Sequence, residues 1–224
     1  MAEVRMRVSP LAAVNIGVKL ALLALIGFYL LNPDLPQFQA KVMPLRSALF
    51  PLAALLIPAV WVLRGRPRPY PHLIDALVVS ATVVDYGGNA ADWYRFWWFD
   101  HLVHFTNMLF LTTAFGLLLA NTRTPRWALA AITLGFGAVL HTIWEITEFT
   151  IAWLYATDLH VDNLTTIRDF GAGLVGSTLG ATLIFLHFWK RVDLGGQLTG
   201  PRDEAPEVVR ERRERVAGLS GMES

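Results

Sequence analysis

Apolar residues fill most of the chain in long runs, which short polar segments separate. Six of these runs approach the roughly 20 residues that an α-helix needs to cross a bilayer. The pattern predicts membrane-spanning helices at about Leu11–Leu31, Pro44–Leu63, Leu73–Asn89, Phe99–Ala120, Trp127–Tyr155 and Leu164–Trp189. The third is the weakest, because its uninterrupted apolar run covers only Ala76–Val84. We therefore expect an all-α polytopic membrane protein with one six-helix domain, residues 1–189, and a polar, largely disordered cytoplasmic tail, residues 190–224.

The composition agrees with this class. Of 224 residues, 54% are hydrophobic and only 17% are charged, and the mean hydropathy is +0.43, whereas soluble domains carry more charge. The first apolar segment is too long for the apolar region of a signal peptide, so we expect a transmembrane helix there. The chain has no cysteine, which excludes disulfides, thiolate catalysis and sulfur metal ligands. The tail mixes acids with its arginines, so we expect no nucleic-acid partner.

Basic residues predict the orientation of the helices. In a six-span arrangement, most basic residues fall on the side of both termini: Arg5, Arg7, Arg64, Arg66, Arg68, Arg123, Arg126 and the basic tail. Only Lys41, Arg46, Arg95 and Arg168 fall on the other side. Because cytoplasmic loops carry the excess of lysine and arginine, both termini are predicted to be cytoplasmic. The aromatic run Trp93–Phe99 is typical of an outer membrane interface.

The segment HTIWEITE, residues 141–148, carries three ionisable side chains within a long apolar helix. His141, Glu145 and Glu148 are spaced i, i+4, i+7, which places them on one stripe of the helix. Ionisable groups inside a membrane cost several kcal/mol unless they are paired, hydrated or metal-bound, and they mark functional sites by default. The stripe is therefore the first candidate site.

Three other predicted helices bring polar residues to the same depth, the outer half of the membrane. These residues are Asp85, Asn89 and Asp92 on the third helix, Asp100, His101, His104 and Asn107 on the fourth, and Asp162, Arg168 and Asp169 around the start of the sixth. Apart from Arg168, these residues were not used to derive the topology, so their common depth supports an outward-facing His/Glu/Asp cluster among helices three to six.

The spacing of the cluster indicates metal binding. His101 and His104 at i, i+3, and His141 and Glu145 at i, i+4, each let one helix present two ligands to one ion. The predicted ligands are His101, His104, His141, Glu145, Glu148, Asp85, Asp162 and Asp169. Nitrogen and oxygen donors without sulfur suit divalent zinc, manganese or iron, and a more carboxylate-rich subset suits magnesium.

Simpler roles stay open for several of these residues. Asp100 is also explained as a helix cap, Asn89 and Asn107 as interhelical hydrogen-bonding groups, and Arg168 with Asp169 as a structural ion pair. Together with Asp92, these residues form the predicted polar surroundings of the ligands.

The leading functional hypothesis is a metal-dependent membrane hydrolase with a lipid-linked ester or phosphoester substrate. Glu145 or Glu148 would serve as the general base, and the aromatic run would lie where the lipid enters. The alternatives are a small transporter or proton/cation relay, or a non-catalytic membrane scaffold. A water-filled path to the cytoplasm would favour the relay, and a pocket closed below His141 would favour the enzyme. Membrane lipids are the expected partners, and the oligomeric state is open.

Three motifs carry a family resemblance. DHLVHF at Asp100–Phe105, WEITEF at Trp144–Phe149, and Asp162 and Asp169 followed by Gly171, Gly173 and Gly176 resemble the YjdF-like family of small bacterial inner-membrane proteins. DHLVHF is also similar to the D-K-x-x-H-F element of VanZ-like membrane proteins, in which lysine stands at the His101 position. The resemblance implies a multi-pass protein of the bacterial cytoplasmic membrane and favours His104 over His101 as a ligand. It implies no reaction.

Overall fold

The described part of the chain forms six long α-helices. The computed structural model describes residues 9–67, 69–120, 122, 124–155 and 163–188, with the backbone alone for 187 and 188. The helices are α1 (Pro10–Leu31), α2 (Met43–Leu63), α3 (His72–Ala90), α4 (Phe99–Leu119), α5 (Arg126–Tyr155) and α6 (Asn163–Leu183), which continues as a π-helical turn at Ile184–Phe188. No strand occurs over these ranges, so the predicted all-α class is confirmed. The predicted tail and Asp162 lie outside the described residues.

The distribution of side chains is that of a membrane protein. Five helices, all except α3, are long and apolar enough to cross a bilayer. Large apolar side chains cover the outer faces of these helices; Leu23 on α1 and Ile146 on α5 are each 61% exposed. Ionisable side chains such as Asp75, His104 and Glu145 are buried instead. A soluble protein does not expose apolar surface on this scale, and the chain is therefore a multi-pass membrane protein.

Helix α3 is less apolar because protein surrounds it. It packs against α1, α2 and α4, and 10 of its 19 residues are buried. Asp75 and Asp85 are among them. A helix that is shielded from lipid on several sides can carry polar groups that a lipid-facing helix cannot, because those groups find partners within the protein.

Helices α1 and α3 run in the same direction, and α2 runs against both. Near the starts of α1 and α3, Asn15 Nδ2 donates a hydrogen bond to Asp75 Oδ2 at 2.8 Å. Near their ends, Tyr29 and Tyr86 belong to one hydrophobic cluster. Ser47 Oγ, near the start of α2, lies 2.7 Å from Tyr86 Oη, so the start of α2 lies beside the end of α3.

Helices α4 and α6 are parallel to each other, and α5 runs against both. His101 Nδ1 lies 2.6 Å from Asp169 Oδ1 near the starts of α4 and α6. Gly116, near the end of α4, contacts both Ile184 after α6 and Thr133 near the start of α5. Successive helices thus alternate in direction from α1 to α6. The ends of α1, α3 and α5 and the starts of α2, α4 and α6 meet at one end of the bundle, called the polar end below.

A separate ion pair lies at the opposite end of α3. Lys19 Nζ is 2.6 Å from Asp75 Oδ2, and the same oxygen accepts hydrogen bonds from Asn15 and, at 2.6 Å, from the Tyr70 hydroxyl. Burial and the neighbouring Asp75 carboxylate raise the pKa of Tyr70, so the phenol remains a donor. The pair explains why a lysine is tolerated in the first apolar helix: it ties α1 to α3.

Candidate metal centre

Three donor atoms from α4 and α5 form a small, buried triangle. His104 Nδ1 lies 3.0 Å from His141 Nε2 and 3.1 Å from Glu145 Oε1, and His141 Nε2 lies 3.0 Å from the same oxygen. Ligand atoms about 2.1 Å from one ion are about 3.0 Å apart when they meet it at right angles and about 3.4 Å apart at the tetrahedral angle. The triangle therefore has the size of a three-ligand metal site, and all three side chains are buried.

The triangle contains an oxygen that the protein does not satisfy. Glu145 Oε1 is buried and has no hydrogen-bond partner among the residues that the structure describes, although two ring nitrogens lie within 3.1 Å of it. The nitrogens are close enough, but they are not aligned as donors. Because an unpaired buried carboxylate oxygen is costly, this atom indicates that a cation fits between the three groups.

Helix α6 holds the His141 ring in place. Gly173 lies directly against the ring: a Cβ atom at this position would be 2.2 Å from His141 Cε1 and 2.3 Å from Nδ1. The Phe170 ring, one turn earlier on α6, has its centroid 5.2 Å from that of His141. Gly173 thus makes room for the ring in the triangle, and Phe170 covers it.

The second nitrogen of His104 faces a group of carboxylates. His104 Nε2 lies 3.6 Å from Asp100 Oδ1, 3.7 Å from Glu148 Oε2 and 4.0 Å from Asp169 Oδ1. Asp169 also bonds His101 Nδ1 at 2.6 Å. A metal-bound histidine commonly donates its other N–H to a carboxylate, which fixes the ring tautomer. The carboxylate nearest to His104 Nε2, Asp100, is of the right type for this role but lies slightly beyond hydrogen-bond distance.

A third group of contacts at the polar end surrounds the Asp85 carboxylate. The Arg46 guanidinium pairs with Asp85, whose Oδ1 also accepts hydrogen bonds from Tyr94 at 2.7 Å and Asn89 at 3.1 Å. Burial and the Asp85 carboxylate raise the pKa of Tyr94 well above its usual value, so Tyr94 stays protonated and donates. Arg46 Nη2 lies 3.9 Å from Glu148 Oε1 and so connects this group to the carboxylates that surround His104 Nε2.

Residues 14–191 match the model of a family described as predicted membrane protein, DUF2238. The chain belongs to this family. The match covers most of α1, all of α2 to α6 and every residue of the cluster. No curated protein and no solved structure matches the chain. Family membership confirms the membrane class of this DUF2238 protein, whereas the closer resemblance to YjdF-like and VanZ-like proteins stays a prediction.

The DUF2238 structure brings together most of the predicted site residues. The triangle contains His104, His141 and Glu145, and its immediate surroundings contain Asp100, His101, Glu148 and Asp169. Asp85 and Asn89 lie in the adjoining group with Arg46. Asp85 has three partners there, and these account for its burial without a bound ion. Asn107 is close to this region and lines a cavity below His104; its buried Oδ1 has no hydrogen-bond partner among the described residues.

Other predicted residues do not join the cluster. Asp92 follows the end of α3, with a left-handed backbone at φ 57°, so the helical spacing from Asp85 does not extend to it. Its exposed side chain lies 3.6 Å from Arg95. Arg168 is exposed, and Asp169 pairs with His101 instead of forming the expected ion pair with Arg168.

Sequence reasoning on this DUF2238 protein did not assign three residues to the site: Arg46, Tyr94 and Gly173, the last of which stands in a motif of the family resemblance. Arg46 entered only as a charge on the outer side, although a basic residue shortly after the start of an apolar helix is itself a signal for a buried partner. Tyr94 lies within the aromatic run and has no distinguishing pattern. The role of Gly173 depends on the position of the His141 ring, which spacing along one helix does not reveal.

Proposed function

We propose that this protein is a metal-dependent membrane hydrolase in which His104, His141 and Glu145 hold one divalent ion. The observation that carries the proposal is the buried triangle of donor atoms, 3.0–3.1 Å apart. Within the described part of the chain, Glu145 Oε1 in this triangle has no hydrogen-bond partner. Two histidines and one carboxylate are the ligand set of zinc hydrolases and of non-haem iron sites. Zinc, iron and manganese suit these donors, whereas magnesium, which prefers oxygen ligands, suits them least.

The charge of the polar end supports a cation. Five carboxylates, Asp85, Asp100, Glu145, Glu148 and Asp169, gather there. Among the described residues of the polar end, the cation Arg46 contacts two of them, Asp85 and Glu148. Several like charges in a region of low dielectric repel strongly, and a divalent ion at the triangle offsets part of this excess.

The residues around the triangle have distinct roles in the proposed reaction. When bound, the ion supplies a Lewis acid that lowers the pKa of a water ligand and polarises an ester or phosphoester. Glu145 faces the two imidazoles and serves as a ligand, so Glu148, less buried on the same stripe of α5, is the candidate general base. Asp100 orients His104 through its Nε2 side.

The proposed topology has six spans: the five apolar helices and, in addition, α3. Helix α3 has 19 residues, or about 28 Å at 1.5 Å per residue, close to the hydrocarbon thickness of about 30 Å. It contacts α1 near both of its ends, and its direction fits the alternation of its neighbours. With six spans, the positive-inside rule places both termini in the cytoplasm and the polar end towards the outside of a bacterial inner membrane. A lipid-linked substrate would then reach the site from the membrane.

Metal content tests the proposal. The full chain is purified in detergent without chelator, reloaded separately with zinc, manganese and iron, and measured by plasma mass spectrometry. We expect near-stoichiometric metal in the parent protein and its loss in His104→Ala and Glu145→Gln. Asp92→Asn is the matched control, because it removes a carboxylate outside the cluster, and it should retain the metal.

Two results would overturn the metal centre. One is a parent protein that stays metal-free after reloading with each ion. The other is equal metal content in the parent and in folded Glu145→Gln. If metal binding is established, hydrolysis of lipid esters and phosphoesters is assayed for the parent and Glu148→Gln. The general-base role predicts that Glu148→Gln keeps its metal and loses turnover.

A further inference from the structure

An apolar cleft of about 370 Å³ extends from the polar end into the bundle. Helices α3 and α4 form its floor, with Val78 and Leu111 among the lining residues, and α2 and α5 form its walls, with Leu56 and Phe136. A volume of this size lies within the range of small-molecule sites. The cleft touches His104, so it begins at the proposed metal centre.

The cleft is long and polar at one end only. On α4, its lining residues extend from His104 to Leu118, which corresponds to about 21 Å along the helix. Asp85, His104 and Asn107 lie at the upper end. Thr82 is the remaining polar residue of the lining, and its hydroxyl bonds the carbonyl of Val79 in its own helix at 2.7 Å.

This lining argues against an ion or proton path. A conducting path requires water or a chain of polar groups, and the cleft offers neither over most of its length, because the residues that follow Asn107 along α4 in the lining are apolar. Apolar cavities stay dry and accept apolar ligands. A cleft that joins a polar site to a long apolar passage has the shape of a lipid: a head group above and a hydrocarbon chain below.

The cleft has an edge at the outer surface of the bundle. Its walls α2 and α5 approach each other at the polar end, where Arg46 lies 3.9 Å from Glu148, but over the described residues the two helices do not form a packed interface. Leu56, on the wall formed by α2, is 53% exposed. The hydrocarbon chain of a lipid could therefore enter sideways from the bilayer, between α2 and α5, without passing the aromatic run at Trp93–Phe99.

We infer that the cleft binds the hydrocarbon chain of a long-chain lipid, with the lipid head group at the His104 and Asp85 end. The inference rests on the proposed function and names the class of its substrate. A length of about 21 Å exceeds one leaflet, which is about half of the 30 Å hydrocarbon core. The cleft therefore suits a long single chain better than the paired, leaflet-length chains of a bulk phospholipid.

The cleft provides room for the lipid chain rather than a large gain in hydrophobic free energy. A chain that leaves the bilayer gains little, because lipid tails are as apolar as leucine side chains. The head group can reach a site below the membrane surface only if its chain has somewhere to lie. Filling the cleft should therefore exclude tailed lipids and leave the metal centre unchanged.

Photolabelling tests the inference independently of metal or turnover. The probe is a 16-carbon fatty alcohol with a diazirine in the middle of its chain, added to the full-length protein in nanodiscs of phosphatidylethanolamine and phosphatidylglycerol. Labelled peptides are mapped by mass spectrometry with and without excess unlabelled hexadecanol. We expect saturable labelling of cleft residues such as Leu111 and Phe136, and non-saturable labelling of lipid-facing residues such as Leu23.

Two matched pairs of variants make the test specific. Leu56→Trp narrows the cleft at its exposed edge, and Leu55→Trp places the same side chain on the adjacent lipid-facing position, 59% exposed. Ala53→Phe fills the cleft from its wall, and Ala59→Phe is the exposed control on the same helix. Because overpacking costs at least about 1 kcal/mol, each cleft variant should lower saturable labelling about fivefold or more, and each control should leave it unchanged.

Two outcomes would overturn the inference. One is labelling that is confined to lipid-facing residues, and the other is labelling of the cleft that both cleft variants retain. Leu56→Trp changes an exposed position, so it remains informative even if Ala53→Phe fails to fold. Metal content is measured in the same samples. Loss of labelling with metal retained supports the lipid site, whereas absence of metal with labelling retained would overturn the metal centre and leave the lipid site standing.

Discussion

Gly173→Ala gives the sharpest test of the proposed metal centre, because it adds one methyl group against the ring of one proposed ligand, His141. The added Cβ would lie 2.2 Å from His141 Cε1, whereas ordinary van der Waals contact begins at 3.4 Å. The ring must therefore retreat by about 1.2 Å. Metal–ligand distances tolerate changes of about 0.2 Å, so His141 would cease to be a ligand. Mutating a group that only supports a metal ligand already costs about 10–100-fold in metal affinity, and we expect a loss of at least about a hundredfold when the ligand itself is displaced.

Gly171→Ala is the matched control. It lies two residues away on the same helix, and its Cβ would meet nothing within 4 Å. Replacing a helical glycine by alanine stabilises by about 0.5–1 kcal/mol, and both variants share this gain. Overpacking against His141 costs about 1–3 kcal/mol, so Gly173→Ala should be less stable than Gly171→Ala by that amount.

Metal titration and thermal unfolding of the detergent-solubilised proteins measure both effects. In a His141→Ala background the clash disappears, and Gly173→Ala should then behave like Gly171→Ala. The reasoning is refuted if Gly173→Ala binds metal with the affinity of the parent, or if its unfolding midpoint matches that of Gly171→Ala while His141 is present.

Two further predictions concern packing and hydrogen bonding. Gly176→Ala places a Cβ 2.1 Å from the Phe105 carbonyl oxygen, and because backbone cannot move aside, its unfolding midpoint should fall below that of Gly171→Ala; equal midpoints would contradict the close α4–α6 contact. Tyr94→Phe removes a 2.7 Å hydrogen bond to buried Asp85 and should cost about 1.5–3 kcal/mol in chemical unfolding. The pKa of Tyr94 is raised in the folded state, so this stabilisation is fully present below about pH 10, the pKa of tyrosine in the unfolded chain. A difference in stability between parent and variant that shrinks between about pH 6 and pH 9 would count against the assignment.

The helical class and the clustering of polar residues could be predicted from the sequence because both depend on helix geometry alone. Long apolar runs define helices, and i, i+4, i+7 spacing places His141, Glu145 and Glu148 on one stripe. The same reasoning failed at Asp92, where the helix had already ended at Ala90. Spacing identifies one face of a helix only as far as the helix extends.

The contacts between helices could not be predicted from the sequence. The alternation of charged and apolar residues does not show that Arg46 reaches Asp85, nor that Lys19 pairs with Asp75. Such pairs depend on which helices are neighbours and at what height. Asp169 illustrates the difficulty, since its adjacent arginine suggested an ion pair, yet its partner is His101 on another helix. A single sequence carries no information on these choices.

The enclosure of α3 has a consequence for biosynthesis. During insertion, each helix is sampled by the membrane before its later neighbours exist, and an aspartate opposes insertion, by about 2.5–3.5 kcal/mol when it lies at the centre of the helix. Asp75, near the start of α3, pairs with α1, and Asp85, nearer its end, pairs with α2; both partner helices are already made, while α4 covers α3 from the other side. We therefore expect α3 to enter the bilayer together with its neighbours rather than alone. A nascent chain that stops after α3 should leave this helix exposed to water in a glycosylation-mapping assay, whereas a chain that includes α4 should carry it across.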